Sequence, residues 1–164
     1  MYMISNDDLI KIAKKEKIPL NDVFFKDFPS KVIQNGGYII NLQDGMLGQG
    51  GSHYVALYVP AKIKQLAYMD SFGFPPSQST INWIKKSKYK SYPVYWNNKV
   101  IQNVDSGGCG IYSLYFIDFC SKHRDSVLMS DLIQKYADLF DEDTGKNLTI
   151  LKKHAKYYMN STMA

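Results

Sequence analysis

The stretch DSGGCGIYSLYFIDF, residues 105–119, places one cysteine among glycines at the start of an apolar, helix-like run. Glycine costs backbone entropy, so Gly107, Gly108 and Gly110 indicate either a tight turn that packs a helix or a close approach to the Cys109 backbone. In the first turn of a helix, N–H groups and the helix dipole favour a thiolate. The Cys109 N–H would also stabilise an oxyanion on a substrate carbonyl. The pattern favours a nucleophilic Cys109 over a small core residue.

A nucleophilic thiol needs a base, and the three histidines differ in their surroundings. His123 lies at a helix end and His154 lies among lysines, and both positions are typical of solvated side chains. His53 instead begins an apolar strand directly after a glycine-rich loop, which favours it as the base, with a structural histidine as the alternative. Asp70 ends the next strand and would reach His53 across neighbouring strands, which lie ~4.8 Å apart; a turn-capping aspartate is its alternative role.

Two further residues complete this set of candidates. Gln102 supplies an uncharged amide donor, which is a usual second donor to an oxyanion in acyl transfer. Cys120 lies ~16 Å from Cys109 along one helix, whereas a disulfide tolerates ~7 Å between Cα atoms. We therefore interpret Cys120 as structural.

Hydrophobic periodicity predicts the elements that position these residues. The run SHYVALYVP is apolar on both faces, which is typical of a central strand. The predicted fold is α+β, a single domain over 1–164 with a central mixed β-sheet flanked by helices. The predicted helices lie at about 5–17 (capped by Ser5 or Asn6), 80–90, 109–123, 131–140 (capped by Ser130) and 147–159; the predicted strands lie at about 36–44, 52–60, 64–72, 91–96 and 99–104; 18–30 is predicted to be a connector packed on the core.

Composition excludes several classes of protein. With 45% hydrophobic and 21% charged residues, the sequence is not that of a disordered chain. No run approaches the ~20 apolar residues that a membrane span needs, and the N-terminus lacks a signal-peptide stretch, which argues against secretion. No Cys/His cluster has zinc spacing, so no metal site is predicted. The net charge of +5 permits contact with nucleic acid.

The segments GGSHYVALYVP, YMDSFGFPP and IQNVDSGGCGIY, in this order, resemble the adenovirus-type maturation protease, a branch of the cysteine peptidases that includes SUMO-specific and other ubiquitin-like-protein proteases. The likeness covers most of residues 5–120. Papain-like enzymes place the cysteine before the histidine, so the order His, Asp, Gln, Cys is distinctive. The resemblance implies a nucleophile on a buried central helix, Cys109, with His53 as base, Asp70 orienting His53, and Gln102 with the Cys109 N–H as the oxyanion hole.

The resemblance also implies a substrate class. Adenoviral members cleave capsid and core precursors, often at glycine-containing sites, which places such an enzyme in the virion and the infected cell of a double-stranded DNA virus, such as a virophage. A narrow channel walled by aromatic residues would admit glycine, and we assign substrate contacts to Gly51, Tyr54, Trp96 and Gly108. The alternatives are an isopeptidase that removes ubiquitin or SUMO from host conjugates, and a catalytically silent binding module.

The resemblance implies stimulation by DNA and by a viral peptide, with no other cofactor. Lysines interleaved with Tyr89 and Tyr92 would neutralise phosphates, although a lysine run is more often a solvated helix face. The candidate DNA contacts are Lys85, Lys86, Lys88 and Lys90, with Lys62, Lys64 and Lys99 in support. A disulfide-linked peptide activator lacks an obvious anchor, because Cys120 is predicted to lie inside a helix. We expect a monomer.

Overall fold

The computed structural model describes residues 4–43, 53–103, 107–123 and 127–158. In these ranges no helix is long and apolar enough to cross a membrane. A short 3-10 turn, Thr144–Lys146, precedes the last helix. The elements in chain order are α1 (Asn6–Glu16), β1 (Leu20–Phe25), β2 (Gly36–Asn41), β3 (Tyr54–Val59), β4 (Leu66–Met69), α2 (Gln78–Lys85), β5 (Val94–Trp96), α3 (Cys109–Lys122), α4 (Met129–Ala137) and α5 (Asn147–His154).

The strands form one mixed sheet in the order β1-β2-β3-β4-β5. The outer pairs β1–β2 and β4–β5 are parallel, whereas β2–β3 and β3–β4 are antiparallel. β3 is the central strand, and five of its six residues are buried. The mixed α+β sheet and its apolar central strand confirm the fold predicted from the sequence.

Alternate residues of the strands face two separate hydrophobic layers, as the pleat of a sheet requires. Ile39, Ala56 and Met69 pack with α1, α3 and the C-terminal helices on one face. Tyr38 and Leu57 pack with Trp83 of α2 on the other face. The sheet is therefore covered by helices on both sides, which explains why its inner strands are apolar throughout.

Helix α3 is buried along most of its length, as the apolar run after Cys109 predicts. Ten of its residues are buried, including Phe116 and Ile117. It packs closely on the sheet at Gly37, where a Cβ atom would stand only 2.4 Å from the Ile117 side chain. The helix that begins at Cys109 is thus packed closely against β2 and β3, which fixes the position of Cys109 relative to the sheet.

The N-terminal ends of α1, α2 and α4 are each stabilised by a different side chain. Ser5 caps α1, and its hydroxyl and the Asp8 carboxylate form a reciprocal capping box. Ser77 caps α2, so this helix begins and ends earlier than the predicted range 80–90. The prediction that Ser130 caps the fourth helix is wrong. α4 begins at Met129, whose backbone N–H donates to Gln65 Oε1 at 3.0 Å, so a side chain from another loop satisfies this helix end.

Two predicted segments differ from the structure. The segment 18–30 is not only a connector, because it contains β1, which pairs with β2 at one edge of the sheet. Residues 99–103 form no strand, and the remaining residue of that predicted strand lies outside the described ranges. The backbone N–H groups of Ile101 and Gln102 both donate to the Ser71 carbonyl at 2.9 Å, instead of joining a ladder with a neighbouring strand.

Candidate active site

Cys109 is the first residue of α3, and the turn before it depends on Gly108. Gly108 is the N-cap of the helix with φ 109°, a left-handed conformation that side chains rarely adopt. It offers no side chain to cap the first turn, and its carbonyl accepts from the Tyr112 N–H at 2.8 Å. The partly buried thiol of Cys109 therefore lies at an N-terminus that no N-cap side chain covers, where negative charge is favoured.

Gly110, the glycine that follows the cysteine, is required for a different reason, which is close packing. A Cβ atom at Gly110 would stand 2.8 Å from Ile4 Cγ2 and 3.3 Å from the Tyr54 ring. Gly110 thus lets the segment before α1 and the start of β3 pack directly against the base of α3. Of the two explanations that the sequence left open, the tight turn and close packing account for Gly108 and Gly110.

His53 and Asp70 meet across the antiparallel pair β3–β4. His53 lies just before β3 and Asp70 just after β4, and the register pairs Ala56 with Met69. His53 Nε2 lies 3.0 Å from Asp70 Oδ1, with the two side chains 27% and 3% exposed. The Phe72 N–H donates to the same carboxylate oxygen at 2.8 Å, and its ring lies 5.0 Å from the imidazole. The Phe72 N–H thus holds the Asp70 carboxylate in the position in which it contacts the imidazole.

The start of β3 connects this pair to the thiol. The Tyr54 backbone N–H donates to Cys109 Sγ at 3.5 Å, and the Ser113 hydroxyl of α3 donates to the Tyr54 carbonyl at 3.3 Å. The His53 side chain also interacts with Cys109, and this interaction raises the pKa of the imidazole. Because Nε2 contacts Asp70, we infer that the thiol interacts with the other ring nitrogen, Nδ1.

The electrostatic environment favours a charged imidazole. Burial by itself lowers the pKa of His53, but hydrogen bonds to Asp70 and Cys109 and the negative charges of both groups raise this pKa to about 9. At neutral pH the imidazole is therefore held as the cation. A cation beside a thiol favours the thiolate, which is the nucleophilic form of cysteine.

Gln102 is buried beside the same pair, with a side chain that is 2% exposed. The Ser71 hydroxyl donates to Gln102 Oε1 at 2.6 Å. Since Ser71 follows Asp70 directly, one short turn holds both the partner of the imidazole and the amide that we assign to the oxyanion hole.

The substrate residues assigned from the sequence fall into three groups. Gly51 lies outside the described residues. Trp96 is 47% exposed on the edge strand β5, and Gly108 adjoins the thiol. The assignment of the Tyr54 ring to a channel wall is wrong, because this ring is only 2% exposed and its hydroxyl bonds to Ile4 and Asn6 in the interior. It is the Tyr54 backbone that faces the site.

The lysine candidates for DNA contact are exposed in the structure. Lys85, Lys86, Lys88 and Lys90 lie at the end of α2 and in the turn after it, and Lys62 and Lys64 lie in the β3–β4 loop. Lys99 differs, because its ammonium donates to the Ala137 and Phe140 carbonyls at the end of α4. Lys99 therefore stabilises the end of α4, which corrects its assignment to phosphate contact. Tyr89 is buried, so its ring is not a surface for stacking.

The remaining sulfur and imidazoles lie elsewhere. Cys120 is 1% exposed, and burial raises the pKa of its thiol. Neither Cys109 nor Cys120 forms a disulfide bond. His123 is exposed at the end of α3, where it bonds to the Phe119 carbonyl, and His154 is exposed and stacks on Tyr115.

Sequence reasoning missed Tyr158, which follows α5. A Cβ atom at Gly108 would lie 3.5 Å from the Tyr158 hydroxyl, so this ring packs over the turn that carries the thiol. Burial and the charge of Cys109 raise the pKa of the Tyr158 phenol. No local pattern marks this tyrosine, because the contact depends on how the last helix packs.

Known proteins resemble this chain in sequence and in fold. No family model matches it. A protein of Acanthamoeba polyphaga mimivirus named as a thiol protease is 37% identical over 76 residues, which are 43% of this chain and 25% of that protein. The protease of bovine adenovirus 7 is 28% identical over 148 residues, which are 83% of this chain and 71% of that protein. The match thus spans only about a quarter of the mimivirus relative.

Two crystal structures of the ASFV protease share the fold, with TM-scores of 0.54 and 0.56 at 16% and 18% identity. Both cover 93% of this chain and 67% of the solved chain. The chain is thus similar to viral proteases of mimivirus and adenovirus and shares the fold of the ASFV protease, which confirms the resemblance drawn from the sequence motifs.

Proposed function

We propose that the protein is a cysteine endopeptidase that cleaves capsid or core precursors during assembly of a virus, at sites that contain glycine. The observation that carries the proposal is the convergence of Cys109, His53 and Asp70, with an imidazole whose pKa is raised to about 9 beside the thiol. The relatives named as viral proteases support the same chemistry. We place its action in the infected cell and the virion, as a monomer.

The mechanism assigns each step to an atom of the site. The Cys109 thiolate attacks the scissile carbonyl, and its oxygen becomes an oxyanion that accepts from the Cys109 N–H and the Gln102 amide. The His53 imidazolium then gives its proton to the leaving nitrogen, the C–N bond breaks, and an acyl-thioester remains. The neutral imidazole takes a proton from water, which attacks the thioester. This step releases the acid and restores the thiolate and the imidazolium, while Asp70 holds Nε2 throughout.

The first experiment tests the nucleophile. Iodoacetamide near neutral pH should label Cys109 quickly and Cys120 slowly, because the second thiol is buried with a raised pKa. Cys109→Ala should abolish this labelling and the turnover of an internally quenched peptide with a central glycine. Cys120→Ala is the matched control and should keep both. Turnover that survives Cys109→Ala would end the proposal.

The second experiment tests the substrate class. The glycine peptide is compared with ubiquitin and SUMO bearing a fluorogenic group at the C-terminus. Preference for the peptide supports the endopeptidase, and preference for either modifier identifies an isopeptidase of host conjugates. A folded chain that turns over none of the three and shows no rapid labelling at Cys109 is a silent binding module.

We also propose that double-stranded DNA binds to Lys85, Lys86, Lys88 and Lys90, the basic patch. All four side chains are exposed within six positions. Each phosphate contact contributes about −0.9 to the slope of log K against log salt, so changing all four to glutamine should flatten that slope. The matched control changes Lys11, Lys14, Lys15 and Lys17, which are also exposed. An equal effect of both sets would contradict a specific patch.

Addition of DNA or of viral peptides to the peptide assay tests activation, and we expect no other cofactor to be needed.

A further inference from the structure

Ser71 and Gln102 form a buried hydrogen bond between side chains, and Ser71 directly follows Asp70 in the chain. Ser71 is 0% exposed and Gln102 is 2% exposed, and the hydroxyl donates to Oε1 at 2.6 Å. A buried hydroxyl can form this bond only in one direction when its partner is the carbonyl oxygen. In this arrangement the oxygen of the Gln102 amide faces Ser71, and its NH₂ group lies on the other branch of the amide.

The main chain around this pair is held without the Ser71 side chain. The Ser71 carbonyl accepts from the N–H groups of Ile101 and Gln102 at 2.9 Å each. The buried side chain of Asn147 donates to the Ile101 carbonyl at 2.8 Å. Removal of the Ser71 hydroxyl leaves these anchors in place, so its effect should be confined to the orientation of the amide.

We infer that Ser71 is a positioning residue, which turns the Gln102 amide so that its NH₂ group, and not its oxygen, is presented to the oxyanion. This inference rests on the proposed function. The oxygen and nitrogen of a side-chain amide lie on opposite branches of one planar group. An oxygen that accepts from Ser71 directs the donor to the other side, whereas a flipped amide would bring a partial negative charge toward a developing anion.

The place of Ser71 in the chain supports this role. It follows Asp70, whose carboxylate holds His53 at 3.0 Å. Consecutive residues of one turn thus fix the base and the second oxyanion donor. The two contacts differ in chemistry, because Asp70 acts on the protonation of the imidazole and Ser71 acts on the direction of a neutral dipole. Their consequences can therefore be separated by experiment.

The experiment is a double-mutant cycle with Ser71→Ala, Gln102→Ala and the combined variant, assayed on the glycine peptide. Loss of an oxyanion donor costs about 10²–10³ in kcat, and a misdirected group should cost about 10- to 100-fold. We expect Ser71→Ala to lower kcat by about 10- to 100-fold with KM changed less than about twofold. In the Gln102→Ala background the same change should have almost no further effect.

A second measurement separates positioning from a general disturbance of the site. Alkylation of Cys109 by iodoacetamide forms no oxyanion, so its rate should be the same in Ser71→Ala and the unmodified protein. The control is Thr80→Val in α2, which also removes a buried hydroxyl and should leave kcat unchanged. If Ser71→Ala does not fold, Ser71→Thr and Ser71→Val replace it. These two side chains have the same shape, and we expect Thr to retain at least about tenfold more activity.

Each outcome decides the inference. The inference is wrong if Ser71→Ala leaves kcat unchanged, or if it lowers kcat equally with and without the Gln102 side chain. It is also wrong if Ser71→Ala slows alkylation of Cys109, or if Ser71→Thr and Ser71→Val are equally active. These results are distinct from failure of the proposed function, in which the unmodified protein shows no turnover or Cys109→Ala retains it.

Discussion

Replacement of Asp70 by asparagine tests the electrostatic arrangement on which the proposed mechanism depends. The pKa of His53 is about 9, compared with an ordinary 6.5. At about 1.4 kcal/mol for each pH unit, this difference corresponds to about 3 kcal/mol of net stabilisation of the imidazolium. Burial opposes the rise, and the hydrogen bonds and charges of Asp70 and Cys109 produce it. The asparagine side chain would keep the shape of the aspartate and remove its charge.

If Asp70 supplies about half of that stabilisation, its loss shifts the equilibrium between the imidazolium–thiolate pair and the neutral pair about tenfold toward the neutral pair. The sign follows from the raised pKa, because a group that favours the cation keeps it charged to higher pH. We therefore expect Asp70→Asn to lower the His53 pKa and to move the alkaline limb of kcat/KM to lower pH. Turnover should fall about tenfold or more, but less than in Cys109→Ala.

Titration of the imidazole resonances by NMR measures this pKa directly, and His123 and His154 serve as internal references in the same spectra. Asp118→Asn is the matched control, because Asp118 is a mostly buried carboxylate that pairs with Lys122 on α3. Its replacement should leave the His53 titration unchanged. An unaltered His53 pKa and an unaltered pH profile in Asp70→Asn would show that another group orients the imidazole, and the reasoning would be wrong.

Three other predictions concern packing and pH. Gly37→Ala should lower the free energy of unfolding by about 1–3 kcal/mol, since its Cβ would stand 2.4 Å from Ile117. Urea titration measures this loss, and the loss caused by Gly37→Ala should be smaller in an Ile117→Ala background. Cys120→Ser should stay active yet lose about 1–3 kcal/mol, because the site is apolar and buried; a folded but inactive variant would contradict a structural role. The stabilisation that His53 contributes is complete below pH 6.5 and is lost as pH rises through about 9. Urea titrations at pH 6, 8 and 10 should show that the free energy of unfolding falls as pH rises. His53→Gln should remove this pH dependence.

The sequence predicted the main features of the site because its strongest signals are local. A continuous apolar strand that begins at His53 must be central, and an antiparallel neighbour that ends at Asp70 brings the two side chains to one edge. The glycines around Cys109 predicted the turn into a buried helix. These inferences need only the period of a strand and the geometry of adjacent strands.

The features that the sequence did not reveal depend on long-range contacts. β1 lies at the edge of the sheet beside β2, and Asn21 and Asp22 interrupt its apolar pattern. Strand alternation could have corrected the assignment of Tyr54, because a residue next to His53 points to the opposite face. Nothing near Lys99 in the sequence indicates that its ammonium reaches the end of α4. Ser71 is similarly unremarkable until the Gln102 side chain is seen against it.

The contact between the Tyr54 amide and the Cys109 sulfur joins two parts of the chain that are 55 positions apart. Until α3 has docked on the sheet, the sulfur has neither this donor nor a charged imidazole beside it, and its reactivity is that of a free thiol. In the proposed mechanism, a chain that has not yet folded therefore lacks the arrangement that activates this thiol. If the proposed mechanism holds, a substitution that loosens the packing of α3 on the sheet should lower activity even where the fold is retained.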